Sequence, residues 1–287
     1  MKNKINSLYF YNDGKPLQIE ISSICNNDCK MCFGQRFDLH PKQHIEFDNF
    51  IKILDIYQPT FLRIVGRGET LIHPRINDIL SEIKKRKITT TLTTNLNMPN
   101  LDFKLIKDTI SEIYISLHSF NPETYLKLTG RKIDNVIYNI QKLDEYKINY
   151  HLKMIISKYN ENEIDDFMYK SIALEKYYWI SGLDFGINEI DDLELKQKLI
   201  DELYPTSEDS QYYSRYLNQD LKIRKYKKCN TAKTPYVLYN GDMYSCCLAA
   251  KSGYLGNIFN KDFKLDENIM FKMQNRGGDE CKICPLN

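Results

Sequence analysis

Six short β-rich runs set the rhythm of this chain: LQIEIS (17–22), FLRIVG (61–66), ITTTLTTN (88–95), EIYISL (112–117), YHLKMII (150–156) and YWISGLDFGI (178–187). Between them lie EFDNFIKILDIY (46–57), RINDILSEIKKRK (75–87), DFKLIKDTI (102–110) and DNVIYNIQKLDEY (134–146), where apolar residues recur at three- and four-residue steps. Strands that alternate with amphipathic helices pair in parallel through crossover connections. The pattern predicts an α/β fold over 1–190, an open or partial (β/α)6 TIM-like barrel. In such barrels the reactive groups gather at the C-terminal ends of the strands. The rhythm stops near residue 188. The charged stretch over 191–228 reads as a solvated helix and a connecting segment. The remainder, 229–287, reads as a small C-terminal β-hairpin/helix domain. Within it VLYNGDMYSCC (237–247) carries the Asn-Gly turn signal of a hairpin.

With 42% apolar residues among 287, the chain can bury a sizeable core. Its 40 basic and 38 acidic residues nearly cancel, so charge gives no reason to expect nucleic acid or membrane as a partner. No apolar run is long enough to span a bilayer. MKNKINSLYFYNDGKPLQ lacks the apolar core of a secretion signal, and the expected location is the cytoplasm.

In a reducing compartment clustered cysteines hold metal or do chemistry more often than they form disulfides. Of the eight, three fall in ISSICNNDCKMCFG just after the first strand: Cys25, Cys29 and Cys32, spaced Cys-x3-Cys-x2-Cys. A [4Fe–4S] cluster has four iron corners, usually each held by a thiolate. Three thiolates leave one iron open to another ligand. The alternatives are free thiols, or half of a zinc site completed elsewhere.

CNNDCKMC resembles the signature of the radical S-adenosylmethionine (radical SAM) enzymes. The resemblance implies that SAM chelates the open iron, and that its reductive cleavage yields a 5′-deoxyadenosyl radical that abstracts hydrogen from substrate. An electron donor such as flavodoxin or ferredoxin is implied as a partner. Where the family often has an aromatic residue before the third cysteine, near the adenine, this chain has Met31. VGRGETLIHP (65–74) resembles the family's Gly-Gly-Glu-Pro segment, with Arg67 and Thr70 as departures. Gly66, Gly68 and Glu69 are then expected around the SAM amino group. LTTN (92–95) places Asn95 near the ribose, unless it only caps a turn. ISLHSFNPETYLKLTGRKIDNVIYNI (115–140) resembles the fourth strand and following helices. Ser116 and Arg131 become candidates for the SAM carboxylate and His118 for a ribose or substrate contact. Arg131 has an alternative partner in Asp134. His118 and His73 read more simply as hydrogen-bonded residues than as bases. Lys153, inside the fifth strand, is placed to point at SAM or substrate.

The tail holds Cys229, then Cys246 on the hairpin, then Cys281 and Cys284 in a Cys-x2-Cys knuckle. Four thiolates from two separated pairs fit one zinc ion or one iron–sulfur cluster. The arrangement, with GYLGNIF (253–259), resembles the twitch domain, the shortened SPASM extension. That resemblance implies one auxiliary [4Fe–4S] cluster, two clusters in all. One cysteine is left over, Cys246 or Cys247; Cys246 carries the Gly-x4-Cys register, which points to Cys247 as the spare. Adjacent strand residues point to opposite faces, so both do not easily bind one cluster. If Cys247 faces the barrel mouth, the resemblance implies a hydrogen-atom donor to a substrate radical, as in peptide epimerases of this family. Packing as a small apolar residue is the alternative.

Three functions follow as expectations. One is modification of a ribosomally made peptide by epimerisation or cross-linking, with little room before the cysteine loop for a leader-recognition domain. Another is dehydrogenation of a small alcohol or sugar. The last is a non-catalytic protein that binds a cluster or zinc. Asp184 and Asn188 on the sixth strand are candidate substrate contacts. The tyrosine-rich segments SQYYSRYLNQ and KYYWIS are candidate binding surfaces.

Overall fold

The computed structural model describes residues 14–32, 35, 41–181, 193–207, 229, 231–247 and 253–275. Cys281, Cys284, Asp184, Asn188 and the SQYYSRYLNQ segment lie outside these residues.

Six parallel strands appear where the β-rich runs stand: β1 Pro16–Ile19, β2 Phe61–Ile64, β3 Thr89–Thr94, β4 Ile110–Ser116, β5 Tyr150–Ile155 and β6 Tyr178–Ser181. Helices α1 Phe47–Tyr57, α2 Ile76–Arg86, α3 Phe103–Thr109, α4 Pro122–Thr129, α5 Asp134–Glu145 and α6 Ile164–Ala173 connect them. Helix α7, Leu193–Leu203, follows in the charged segment. Neighbouring strands pair in sequence order from β1 to β6, and the sheet stays open, a partial barrel.

Each strand sorts its side chains by face. Along β5, Tyr150, Leu152 and Met154 are buried, while His151, Lys153 and Ile155 are half-buried. Leu62 and Ile64 flank Arg63 on β2 in the same way. The apolar set joins the helix faces, such as Ile79, Leu80 and Ile83 of α2, in one continuous core. Burying each such side chain contributes roughly 1.5–3 kcal/mol. The inner face of the sheet is left polar.

The predicted hairpin forms, but it does not stand apart. Strand β7, Tyr236–Val237, lies parallel to β1, with Tyr236 opposite Gln18. Strands β8, Asp242–Tyr244, and β9, Tyr254–Asn257, extend the same sheet antiparallel, and α8, Glu267–Gln274, follows. Nine strands therefore share one sheet, in the order β6-β5-β4-β3-β2-β1-β7-β8-β9. Among the described residues no helix is long and apolar enough to cross a membrane.

The turn between β7 and β8 depends on Gly241, which has φ +87° and whose Cβ, if present, would lie 2.4 Å from the Phe259 ring. Gly241→Ala should therefore cost about 1–3 kcal/mol, from backbone strain and the displaced ring. Urea denaturation of the two chains checks it.

Candidate functional site

The cysteine loop leaves β1 at the C-terminal end of the sheet and is tied down on three sides. On one side is the glycine segment after β2. A Cβ on Gly68 would stand 2.2 Å from the Ile24 carbonyl oxygen and 2.6 Å from that of Ser22, so the two backbones touch directly. The next amide, Glu69 N–H, donates to that Ile24 carbonyl at 2.8 Å. Gln35 Nε2 donates to the carbonyls of Ser23 and Arg67 and bridges the same two segments.

The Glu69 carboxylate forms the second tie. It is buried and accepts from Leu71 N–H at 2.9 Å, Thr94 Oγ1 at 2.6 Å and Asn95 N–H at 2.6 Å. Burial still holds its pKa above the ordinary carboxylate range. These bonds occupy most of its acceptor capacity. Its evident work is to join the β2 and β3 loops, and little of it remains to meet an ammonium. Asn95 continues the tie. Its Oδ1 accepts from Asn97 N–H at 2.8 Å, which makes it the turn cap, and its Nδ2 donates to Asn26 Oδ1 at 2.8 Å and lies 3.7 Å from Cys25 Sγ. The amide is engaged within the chain, on the cysteine loop and not in open space.

Arg131 makes the third tie from outside. Its Nε donates to the Asn26 carbonyl at 2.6 Å. No bridge to Asp134 forms. Asn26, Asn97, Arg131, Lys132 and Asn135 line a surface cleft of about 300 Å³ beside the loop. His73 is structural: its Nδ1 accepts from Arg75 N–H at 3.1 Å, so Nε2 carries the proton and donates to the Ile45 carbonyl at 2.9 Å.

Within the loop, burial pushes the Cys25 thiol up to about 12 and raises Cys29 further; Cys32 adds to both shifts and Cys25 to that of Cys29. Asn27 is buried beside them with its side-chain amide unpartnered. Met31 packs with Leu128 and with Leu199, Leu203 and Tyr204 from and just after α7.

The inner face adds residues that no motif announced. Glu20, at the end of β1, is completely buried. Its Oε2 accepts from Arg67 N–H at 2.7 Å and from Tyr236 OH at 3.1 Å, and pairs with Arg67 Nε at 3.3 Å, while Oε1 has no partner. Gly66 leaves room for this carboxylate, since a Cβ there would lie 2.6 Å from Glu20 Cγ. Lower on the face, Glu112 accepts from Tyr114 OH at 2.8 Å and lies 3.8 Å from His151 Nε2. These contacts and Arg63 hold its carboxyl below the ordinary range. Ser116 and Lys153 are paired in register at the upper end of β4 and β5. His118 has φ +67°, and its Nδ1 accepts from Ile155 N–H at 3.2 Å. Burial, then the adjacent Lys153, lowers its pKa to about 4. At neutral pH it is an uncharged donor through Nε2. No local sequence signal pointed to Glu20 or Tyr236, whose partners lie far off in the chain.

The hairpin cysteines separate. Cys246 is buried with Ala232 and Met273, and Cys229 packs against the same cluster. Cys247 is exposed and lies within electrostatic reach of Lys153 and Tyr236.

The family model for the radical SAM superfamily matches residues 19–169. The tungsten-containing aldehyde ferredoxin oxidoreductase cofactor-modifying protein of Pyrococcus furiosus is 26% identical over 169 residues, 53% of this chain and 46% of that protein. The GTP 3′,8-cyclase of Aquifex aeolicus is 28% identical over 195 residues, 62% of this chain and 59% of that protein. The chain thus spans about half the length of these relatives. In fold it is similar to SuiB of Streptococcus suis bound to S-adenosylmethionine, with a TM-score of 0.66 at 15% identity, covering 94% of this chain and 72% of SuiB. SuiB bound to the precursor peptide SuiA matches with a TM-score of 0.64 at 18% identity, covering 94% and 70%.

The loop fits the cluster that this family uses. A cubane spreads its thiolates over separate irons, and three thiols that interact within one short loop suit such a group with one iron left open. Cys25, Cys29 and Cys32 would hold that group.

Two outcomes follow. Glu69→Gln turns an NH2 toward converging donors and should cost about 2–4 kcal/mol, read by thermal unfolding. The raised thiol pKa values stabilise the metal-free fold only while the thiols stay protonated. Above the ordinary thiol pKa of about 8.5 the unfolded chain ionises first. Stability of the metal-free chain should therefore fall as pH rises from about 9 toward 12, and Cys25→Ala should flatten that slope. Urea titrations across pH test this.

Proposed function

The chain belongs to the radical SAM superfamily, and from that membership we propose that it is an enzyme that abstracts a hydrogen atom from substrate and returns one from Cys247. The cluster at Cys25, Cys29 and Cys32, with SAM, supplies a 5′-deoxyadenosyl radical when bound. Glu69, Asn95 and Arg131 keep the loop rigid while this happens. The backbone edge of the segment at Gly66 and Gly68 is offered to SAM, and Ser116 at the end of β4 offers a hydroxyl to it.

The observation that carries the reading is the divergence of Cys246 and Cys247. The first packs with Cys229, as a pair of ligands for an auxiliary centre completed by Cys281 and Cys284. The second is exposed and within electrostatic reach of Lys153 and Tyr236, and the reading sets it across the substrate from the cysteine loop. Substrate held between them loses hydrogen on the side of SAM and regains it from Cys247 Sγ–H on the other, which inverts the carbon. The sulfur radical left behind takes one electron from a flavodoxin- or ferredoxin-type donor and one proton. SuiB, which shares the fold and has been captured with a precursor peptide, supports a peptide as substrate. The polar inner face favours a second reading, oxidation of a small alcohol, in which the auxiliary centre accepts an electron from the substrate radical and Cys247 is idle.

Anaerobic protein should contain about eight irons, falling to about four when Cys25, Cys29 and Cys32 are all replaced by Ala. About four irons with a zinc would make the tail structural. Product formed in heavy water should carry solvent deuterium at the inverted carbon, read by mass spectrometry. Cys247→Ala should still cleave SAM but release no inverted product. Full turnover by this variant without solvent label would leave only the dehydrogenase reading.

A further inference from the structure

One wall of the cysteine loop is the C-terminal turn of α4. Asp28 N–H donates to the Thr129 carbonyl and Lys30 N–H to the Leu128 carbonyl, both at 2.8 Å. Gly130 backs onto the same loop, where a Cβ would stand 3.3 Å from Asp28 Cβ. The two bonds bracket Cys29 and hold it against the helix, where it packs on the cluster of Met31 and Leu128. Tyr125 precedes Leu128 and Thr129 by one helical turn and shares their face. Thr129 Oγ1 donates back to its carbonyl at 2.8 Å, and the Tyr125 side chain is wholly buried.

Polar atoms gather at this wall without partners. Asn27 Oδ1, Asn27 Nδ2 and the Tyr125 hydroxyl are buried, and none has a hydrogen-bond partner among the described residues. Neighbouring donors are spent elsewhere: Asn97 Nδ2 donates to the Lys132 carbonyl at 3.1 Å, and Thr129 Oγ1 to that of Tyr125. Both side chains stand by Cys29, short of hydrogen-bonding geometry. Asn27 acts on the Cys29 thiol, and Asn27 and Cys29 act on the Tyr125 hydroxyl. Cys25 differs, since its Sγ already has Asn27 N–H at 3.5 Å and Asn95 Nδ2 at 3.7 Å. Burying an unmet donor is costly. Two such donors beside one sulfur are accounted for when that sulfur becomes a cluster thiolate.

We propose that Asn27 Nδ2 and the Tyr125 hydroxyl donate hydrogen bonds to Cys29 Sγ in the cluster-bearing chain and set how readily that cluster takes up an electron. This rests on the reading of Cys25, Cys29 and Cys32 as cluster ligands. A thiol accepts a hydrogen bond weakly, whereas a metal-bound thiolate carries negative charge and accepts strongly. Reduction by a flavodoxin- or ferredoxin-type donor adds one electron to the cluster and makes or breaks no bond. Donors at the sulfurs spread the added charge, favour the reduced state and raise the potential. Asn27 and Tyr125 act through Cys29 and are positioning residues.

The test is a redox titration of the anaerobic, cluster-loaded full chain with dithionite, followed by electron paramagnetic resonance. The signal read is the one lost when Cys25, Cys29 and Cys32 are replaced by Ala, which sets aside any second cluster. Tyr125→Phe removes only the hydroxyl, and Asn27→Leu removes the amide at similar volume. Each should shift the reduction equilibrium toward the oxidised cluster by about threefold to tenfold, a fall in midpoint potential of at most about 59 mV. Asn27→Gln, which keeps an amide donor, should recover part of that shift. Iron per chain should stay at the wild-type level, because both replacements keep the shape and strand no partner. Wild-type potentials in both Tyr125→Phe and Asn27→Leu, or a rise in either, would overturn the inference and leave the proposed reaction untouched. Lowered iron content with an unmoved potential in the clusters that remain would overturn it too, as the sign of a purely structural role. Potentials that fall as expected in a chain that cleaves no SAM after reduction would sink the proposed reaction and leave the two donors standing.

Discussion

The buried Glu69 carboxylate is the joint on which the upper end of the barrel turns. An ionised carboxylate inside a protein costs several kcal/mol unless its oxygens are satisfied. Here the donors come from separate places in the chain: Leu71 N–H from its own loop, and Thr94 Oγ1 and Asn95 N–H from the end of β3. The adjoining Gly68 backbone rests directly on Ser22–Ile24, and Glu69 N–H closes the contact. Three segments are thus fixed relative to one another by a single residue and its neighbour. The cysteine loop has little regular structure of its own. Its shape is borrowed from this joint and from Arg131, which grips it at Asn26.

That dependence explains why a glycine segment stands next to the cysteine loop. A side chain at position 68 would push the two backbones apart and carry Cys25 away from Asn95. Glu69 and Asn95 therefore position the cysteine loop.

Local patterns were legible in the sequence, and distant pairings were not. The six parallel strands and helices α1, α2, α3 and α5 follow from periodicity, because each strand and helix face must bury a repeating apolar set. The Asn-Gly turn at 240–241 was equally plain. The parallel addition of β7 to β1 was not. It involves only Tyr236 and Val237 in strand geometry, and its cause is non-local: a chain crossing that brings Tyr236 OH to Glu20, 216 residues away. For the same reason the three cysteines could be read from spacing, while Glu20, Arg63 and Tyr236 could not. A charged residue inside a strand looks alike whether it meets solvent or an enclosed face. Only the register of neighbouring strands shows that Arg63 and Lys153 lie on the same face of the sheet.

A charged inner face is at first sight a poor place for radical chemistry, which gains nothing from polarity in the carbon–hydrogen bond being broken. The benefit lies in positioning. Carbon–hydrogen bonds offer a protein no directional contact, so the choice of which hydrogen is lost must come from groups elsewhere on the substrate. Binding energy at a remote anchor can fix the reacting atom and limit its motion. A charged anchor in a partly desolvated space is stronger and more directional than apolar packing.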